Sequence, residues 1–289
     1  MKIIEPKVEL LLQDNPKSHV ARCARVCYGK ETGDDKKTVE WLIAHKHLSM
    51  FRHESVYAII PNHNRELHNN INFYANCPYV NIQIFDYNTY ISTNKQFIMD
   101  NELYPFVKLI KENTVTEEEF RNTEMGFNMM RYSFYVVTQI STSRELNRVS
   151  PNNISERSTR YVYEDGTICR PHWLEGYNIS QTLHGKYLIY KDGKEDDDIN
   201  HKVFTYINQC NSAFNTYKYL VDSGLSRQDA RGVLPLDTAT ICVYTYSIKE
   251  WRKIIDLRYY GTTGKPHPNA KIIAGMIRDQ LIKLGYEFR

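Results

Sequence analysis

A run of β-branched and aromatic residues, Tyr135-Val-Val-Thr-Gln-Ile140, gives way within a few residues to the polar stretch Arg144–Tyr161. Those eighteen residues hold four arginines, the carboxylates Glu145 and Glu156, and small hydroxyl or amide side chains such as Ser150, Asn153, Ser158 and Thr159. A segment that leaves a buried strand and turns polar this abruptly delivers side chains to a site at the strand's end. Arginine presents a planar fork of donors suited to phosphate, and Ser158 and Thr159 add short donors beside it. The stretch reads as an anion-binding turn. The alternative is a surface turn whose Arg/Glu pairs serve only to solvate it.

The rest of the composition narrows the class of protein. A chain of 289 residues can bury a substantial core, and 42% hydrophobic with 25% charged residues excludes disorder. The net charge of +3 is too small for a scaffold that binds a nucleic acid polymer, though local basic clusters can hold single nucleotides. The 22 tyrosines, against 11 phenylalanines, need outlets for their hydroxyls in a sheet or a subunit interface. The six cysteines form no Cys-x-x-Cys, and no Cys/His spacing suggests a metal site. No signal peptide is visible after Met1 and no apolar run spans a bilayer, so the expectation is a cytoplasmic protein with free thiols and no membrane partner.

Along the chain, Val8–Gln13 reads as a strand, and His19–Cys27 and Lys37–His47 as helices. The strand Val56–Ile60 follows. Glu102–Lys111 has the spacing of a helix with Leu103, Phe106, Val107 and Ile110 inward, and Thr116 with Glu117–Glu119 reads as a capped helix start. The Asn- and Tyr-rich segment 62–130 reads as an embellishment on the rim or at a subunit contact. Lys191–Asp198 reads as a solvated acidic turn. Phe204–Ser223 is an amphipathic helix closed by Gly224. A strand over Thr238–Tyr246, a helix over Ile248–Leu257 and a closing helix over Ala270–Leu284 complete the chain.

The polar stretch resembles the signature of flavin-dependent thymidylate synthases, which opens Arg-His-Arg, continues through Ser, Asn and Ser, and ends in Arg, commonly followed by Tyr. Arg148, Ser158, Arg160 and Tyr161 match it, while Val149 and Ser150 replace the His and second Arg, Asn153 the first Ser and Ser155 the Asn. Three further blocks resemble the family in the same order. They are the early helix Cys23–Tyr28, the stretch His47–His53 (with Arg52 where the family has an acid), and Ala230-Arg-Gly-Val-Leu-Pro235. Arg258 falls where family members hold the pyrimidine ring.

The resemblance implies an α/β fold in α+β layout, a central sheet flanked by helices. It implies one catalytic domain over 1–289 with an insertion at 62–130, and a homotetramer with sites shared between subunits. The implied reaction is reductive methylation of deoxyuridine monophosphate (dUMP), with FAD as cofactor and methylenetetrahydrofolate and NADPH as cosubstrates. Glu145, Arg148, Glu156, Ser158, Thr159, Arg160, Arg231 and Arg258 would face the nucleotide, Arg258 also stabilising charge on the ring. His53, Ser55, Ser150, Asn153, Glu156, Ser247 and Lys249 would face the flavin, a set thinned by the replacements at Val149 and Ser150. Hydroxymethylation of a pyrimidine nucleotide is one alternative, and a nucleotide-binding homologue without flavin chemistry another. Nothing resembles the cysteine block of classical thymidylate synthase.

Overall fold

The computed structural model describes residues 1–64, 67, 71, 74–181, 187–191 and 197–289. The acidic turn expected at Lys191–Asp198 lies mainly outside the described residues.

The centre is a four-stranded antiparallel sheet. Its strands, in spatial order, are Lys7–Leu11, Arg131–Gln139, Ala239–Ser247 and Ile154–Glu156. The two inner strands pair over nine residues, from Ala239 opposite Gln139 to Ser247 opposite Arg131. They are buried over nearly their whole length, as strands covered on both faces must be. On one face the helices Ile248–Ile255 and Pro268–Lys283 pack through Trp251, Ile254, Ile273 and Ile277, all at most 1% exposed. The helix Pro16–Cys27 contributes Cys23 and Val26 to a separate cluster with Leu11 and Val243.

Several boundaries differ from the expectation for local reasons. The first helix starts at Pro16 rather than His19, because Asn15 caps it through the Ser18 amide and proline is suited to the first turn. The expected helix at Glu102 starts at Pro105, so Leu103 is not inward but 98% exposed in the preceding turn. The run through Ile140 is strand only to Gln139, and a short helix, Ile140–Leu146, carries Arg144 and Glu145. Two short strands, Lys2–Ile4 and Thr167–Cys169, pair in parallel and lacked any alternating signal.

The segment 62–130 is more than a rim embellishment. It supplies the strands Asn81–Phe85, Asn88–Asn94 and Thr114–Val115, which join Ser55–Pro61 in a second four-stranded sheet. The helices Lys95–Asp100 and Pro105–Glu112 cover it, with Phe97, Phe106, Val107 and Ile110 in a core of their own. Thr116 and Glu119 form a reciprocal capping box, as the sequence led one to expect.

Candidate active site

The short helix Ile140–Leu146 and the turn after Ile248–Ile255 bring three predicted nucleotide residues together. Arg258 lies in a π-helical turn, Asp256–Tyr260, that prolongs the helix and stops at Gly261 in the left-handed conformation (φ 70°). A Cβ at Gly261 would stand 2.8 Å from the Gly264 carbonyl oxygen, so only glycine closes this turn without a clash. Arg258 Nε donates to the Glu145 carbonyl oxygen at 2.6 Å, and a terminal nitrogen lies 3.1 Å from Glu145 Oε2. Arg148 reaches the same Oε2, also at 3.1 Å. Two guanidinium groups thus share one carboxylate, leaving a net positive pair with donors to spare.

Glu156 stands behind this group. It pairs in register with Cys242, and its Oε1 accepts hydrogen bonds from Ser143 Oγ (2.9 Å) and Thr240 Oγ1 (3.2 Å). Burial raises its pKa, and those two bonds oppose the rise. The contact to Ser143 couples it to the helix that carries Glu145.

The remaining nucleotide residues form a second group. Arg231 donates to Thr159 Oγ1 at 3.1 Å, Arg160 to Gln228 Oε1 at 3.4 Å, and Arg227 to the Tyr161 carbonyl oxygen at 2.6 Å. The Ser158 amide is held by the Cys27 carbonyl oxygen at 3.1 Å. Among the described residues no hydrogen bond or ion pair joins this group to Arg148 and Arg258. The predicted phosphate contacts, all exposed or half-exposed, thus form two hydrogen-bonded groups without a direct bond between them.

The predicted flavin residues also divide. Ser150, Ser247 and Lys249, together with the replacement residue Val149, line a cleft of about 750 Å³ between the Ala75–Gln83 segment and the Ile248–Ile255 helix. Ser247 is also the N-cap of that helix, exchanging hydrogen bonds with Glu250. His53, Ser55, Asn153 and Glu156 do not line the cleft. His53 is 1% exposed, with Nδ1 at 2.7 Å from Thr245 Oγ1 and Nε2 at 2.9 Å from Ser155 Oγ, so neither ring nitrogen is left for a ligand. Burial, aided by His19 and Arg131, lowers its pKa to about 3. Ser55 is tied through its backbone to the Gln13 side chain. Asn153 is buried, and its Oδ1 has no partner among the described residues.

Sequence reasoning missed Arg131, which reaches the same cleft from the start of the inner strand, and the Ala75–Gln83 wall opposite it. A cation opening an otherwise apolar strand was the available signal for Arg131. For the wall, the alternation of Val80, Ile82 and Ile84 with Asn81 and Gln83 was the available signal of a strand.

Burial raises the thiol pKa values of Cys23, Cys27, Cys169, Cys210 and Cys242, so none of these five is poised as a thiolate. Among the described residues no group of three His, Cys, Asp or Glu is placed to hold a metal ion, and no helix is long and apolar enough to cross a membrane.

Against this geometry the comparisons with known proteins are informative. The family model Thy1, described as thymidylate synthase complementing protein, matches residues 109–284. The chain belongs to this family. The matched region includes both arginine clusters, Glu156 and the Ser247–Lys249 edge of the cleft, and omits His53 and Ser55. Among curated relatives, family membership is echoed by a flavin-dependent thymidylate synthase of Kosmotoga olearia, 25% identical over 136 residues. That match covers 46% of this chain and 55% of the relative, so the chain spans about half the length of the relative it matches. Among solved structures, a UMP/dUMP methylase, PolB, of Streptomyces cacaoi bound with 5-Br dUMP overlays with a TM-score of 0.47 at 17% identity, covering 98% of this chain and 93% of that one. The same enzyme bound with 5-Br UMP gives 0.47 at 18% identity, covering 98% and 92%.

Proposed function

We propose that this family member reductively methylates dUMP to thymidylate, with FAD as cofactor and methylenetetrahydrofolate and NADPH as cosubstrates. The observation that carries the reading is the convergence of Arg148 and Arg258 on one Glu145 carboxylate. Their chain neighbours Val149 and Leu257 line the cleft. Family membership and the name of the Kosmotoga relative support the same reaction.

In this reading the chain's own residues bind and orient. Glu145 holds the Arg148 and Arg258 forks in place, so their remaining donors are preorganised for a uracil oxygen and for charge that grows there. Glu156, kept by Ser143 and Thr240, fixes the helix from which Glu145 projects. The flavin would lie along Ser150, Ser247 and Lys249, and the buried cation Arg131 on the same cleft wall fits a cofactor that carries phosphates. When bound, the reduced flavin and the folate supply the hydride and the one-carbon unit. The second cluster, Ser158, Thr159, Arg160 and Arg231, would meet the nucleotide phosphate from a neighbouring subunit. That role would require a homo-oligomer with shared sites, such as the homotetramer the family resemblance implies.

Calorimetry with dUMP and with deoxyuridine tests the nucleotide assignment. The phosphate should add at least about 1.5–3 kcal/mol, the worth of a hydrogen bond to an ionised group. Arg258→Lys keeps a cation at the helix end but loses the fork, so the folded variant should bind dUMP at least about tenfold more weakly, roughly 1.4 kcal/mol. Equal affinity for the two ligands, together with an Arg258→Lys variant that binds as the parent does, contradicts the assignment.

A further inference from the structure

Arg131 is a buried cation without a carboxylate. The residue is only 7% exposed, and among the described residues its guanidinium makes no ion pair. Its Nε has no hydrogen-bond partner, and one terminal nitrogen makes only long contacts to the Arg52 and Thr245 carbonyl oxygens, at 3.4 and 3.5 Å. Leaving a charge in this state is expensive, since a buried ion without a partner loses its hydration and gains no compensating attraction. Its neighbour His53 does not relieve it, being neutral near pH 7.

The backbone that holds Arg131 is rigid. It opens the inner strand opposite Ser247, and its amide and carbonyl are both bridged by the buried Tyr57 hydroxyl. The side chain lines the 750 Å³ cleft, whose other charged walls are Lys249, Arg252, Lys253, Glu250 and Asp256. Of the two acids, Glu250 is occupied by the Ser247 cap. Arg52 adds a further cation nearby, stacked over the cleft residue Tyr79 at 5.3 Å and likewise without an acid partner among the described residues. A fixed, desolvated guanidinium in a cationic cleft matches a phosphoryl oxyanion, which it can meet with two parallel donors.

We propose that Arg131 anchors a phosphoryl group of the ligand that fills this cleft. With the proposed function, on which this part rests, that group is a phosphate of the FAD pyrophosphate. Arg131 would then take over the anion contact weakened where Val149 and Ser150 stand in the signature.

The test uses three probes on the full chain: FAD, riboflavin and inorganic pyrophosphate. Flavin binding is read by fluorescence, and pyrophosphate binding by the shift in melting temperature. Arg131→Met and Arg131→Lys are measured beside the parent. The expected result for Arg131→Met is at least about tenfold weaker FAD binding, unchanged riboflavin binding and loss of the pyrophosphate shift. Without ligand it should melt no lower than the parent, because it removes a charge that has no partner. Unchanged FAD and pyrophosphate binding overturns the proposal. So does an equal loss of FAD and riboflavin, which marks a structural role. If Arg131→Met does not fold, Arg131→Lys carries the comparison: weaker FAD with unchanged riboflavin supports the anchor, and unchanged FAD overturns it. A parent that binds no flavin, but whose pyrophosphate shift disappears on substitution, refutes the FAD reading and keeps the anchor. A parent that responds to none of the three probes overturns both.

Discussion

Replacing Trp251 with alanine should cost about 3–5 kcal/mol of folding stability, the usual range for truncating a buried aromatic ring. Trp251 is 1% exposed and donates from Nε1 to the Tyr132 carbonyl oxygen at 3.1 Å. Its ring meets Phe134 and Tyr246 edge-on, with centroids 5.1 and 5.2 Å apart. The substitution therefore removes apolar burial, aromatic contacts and a hydrogen bond together. It also loosens the Ile248–Ile255 helix, which carries Lys249 at one end and leads into the Arg258 turn at the other. Urea melts give the stability loss, and nucleotide affinity at a temperature where the variant is still folded should fall with it. A loss below about 1 kcal/mol would show that this helix is not packed on the sheet as described.

The second large effect concerns acid. His53 is buried with a pKa lowered to about 3, so it is neutral in the folded protein at pH 5, whereas an unfolded histidine titrates near 6.5. Between those values the unfolded state binds the extra proton, and stability falls as pH drops below about 6.5. From pH 7 to pH 5 His53 should account for about 2 kcal/mol of lost stability. His19, lowered to about 4 by burial, acts in the same direction. Glu164 opposes them: burial outweighs its pairing with Arg157 and pushes it up to about 7, so its carboxyl is protonated earlier in the folded state. The His53 contribution is therefore read as a difference. His53→Gln keeps a donor and an acceptor for Thr245 and Ser155, and its stability should fall by about 2 kcal/mol less than the parent's over the same interval. Equal losses for parent and variant would mean that the ring is solvated or already charged.

His53 also marks where sequence reading stops. A histidine just before a strand, in a block resembling a known flavin-site motif, pointed toward a ligand. Its real partners, Thr245 and Ser155, lie 192 and 102 residues away in the chain, and only the packed sheet brings them to the ring. The members of the Arg148–Glu145–Arg258 group were legible because Arg148 opens the signature and Glu145 and Arg258 fall at substrate-facing positions of the family it resembles. The sharing of one carboxylate was not, since it depends on the short helix after Gln139, whose first residue, Ile140, read as the end of the strand. The inner strands and the closing helices were legible from apolar periodicity. The second sheet went unread although Ile82, Ile84, Thr89 and Ile91 are strand formers, because the Asn residues at 81, 88 and 94, which are depleted in strands, punctuate the two runs. Arg131 went unmarked although it opens a strand, because the sequence does not show that the strand is buried and the cation left without an acid.

The central claim is that this chain transfers a methyl group to dUMP through a flavin. The purified protein, supplied with FAD, is incubated with dUMP, methylenetetrahydrofolate and NADPH, and the nucleotide is analysed by mass. The account predicts thymidylate, formed only when all four small molecules are present, with flavin absorbance bleached by NADPH and restored as product appears. Recovery of unchanged dUMP, or of a hydroxymethylated nucleotide, from a folded protein that binds both dUMP and FAD would contradict it.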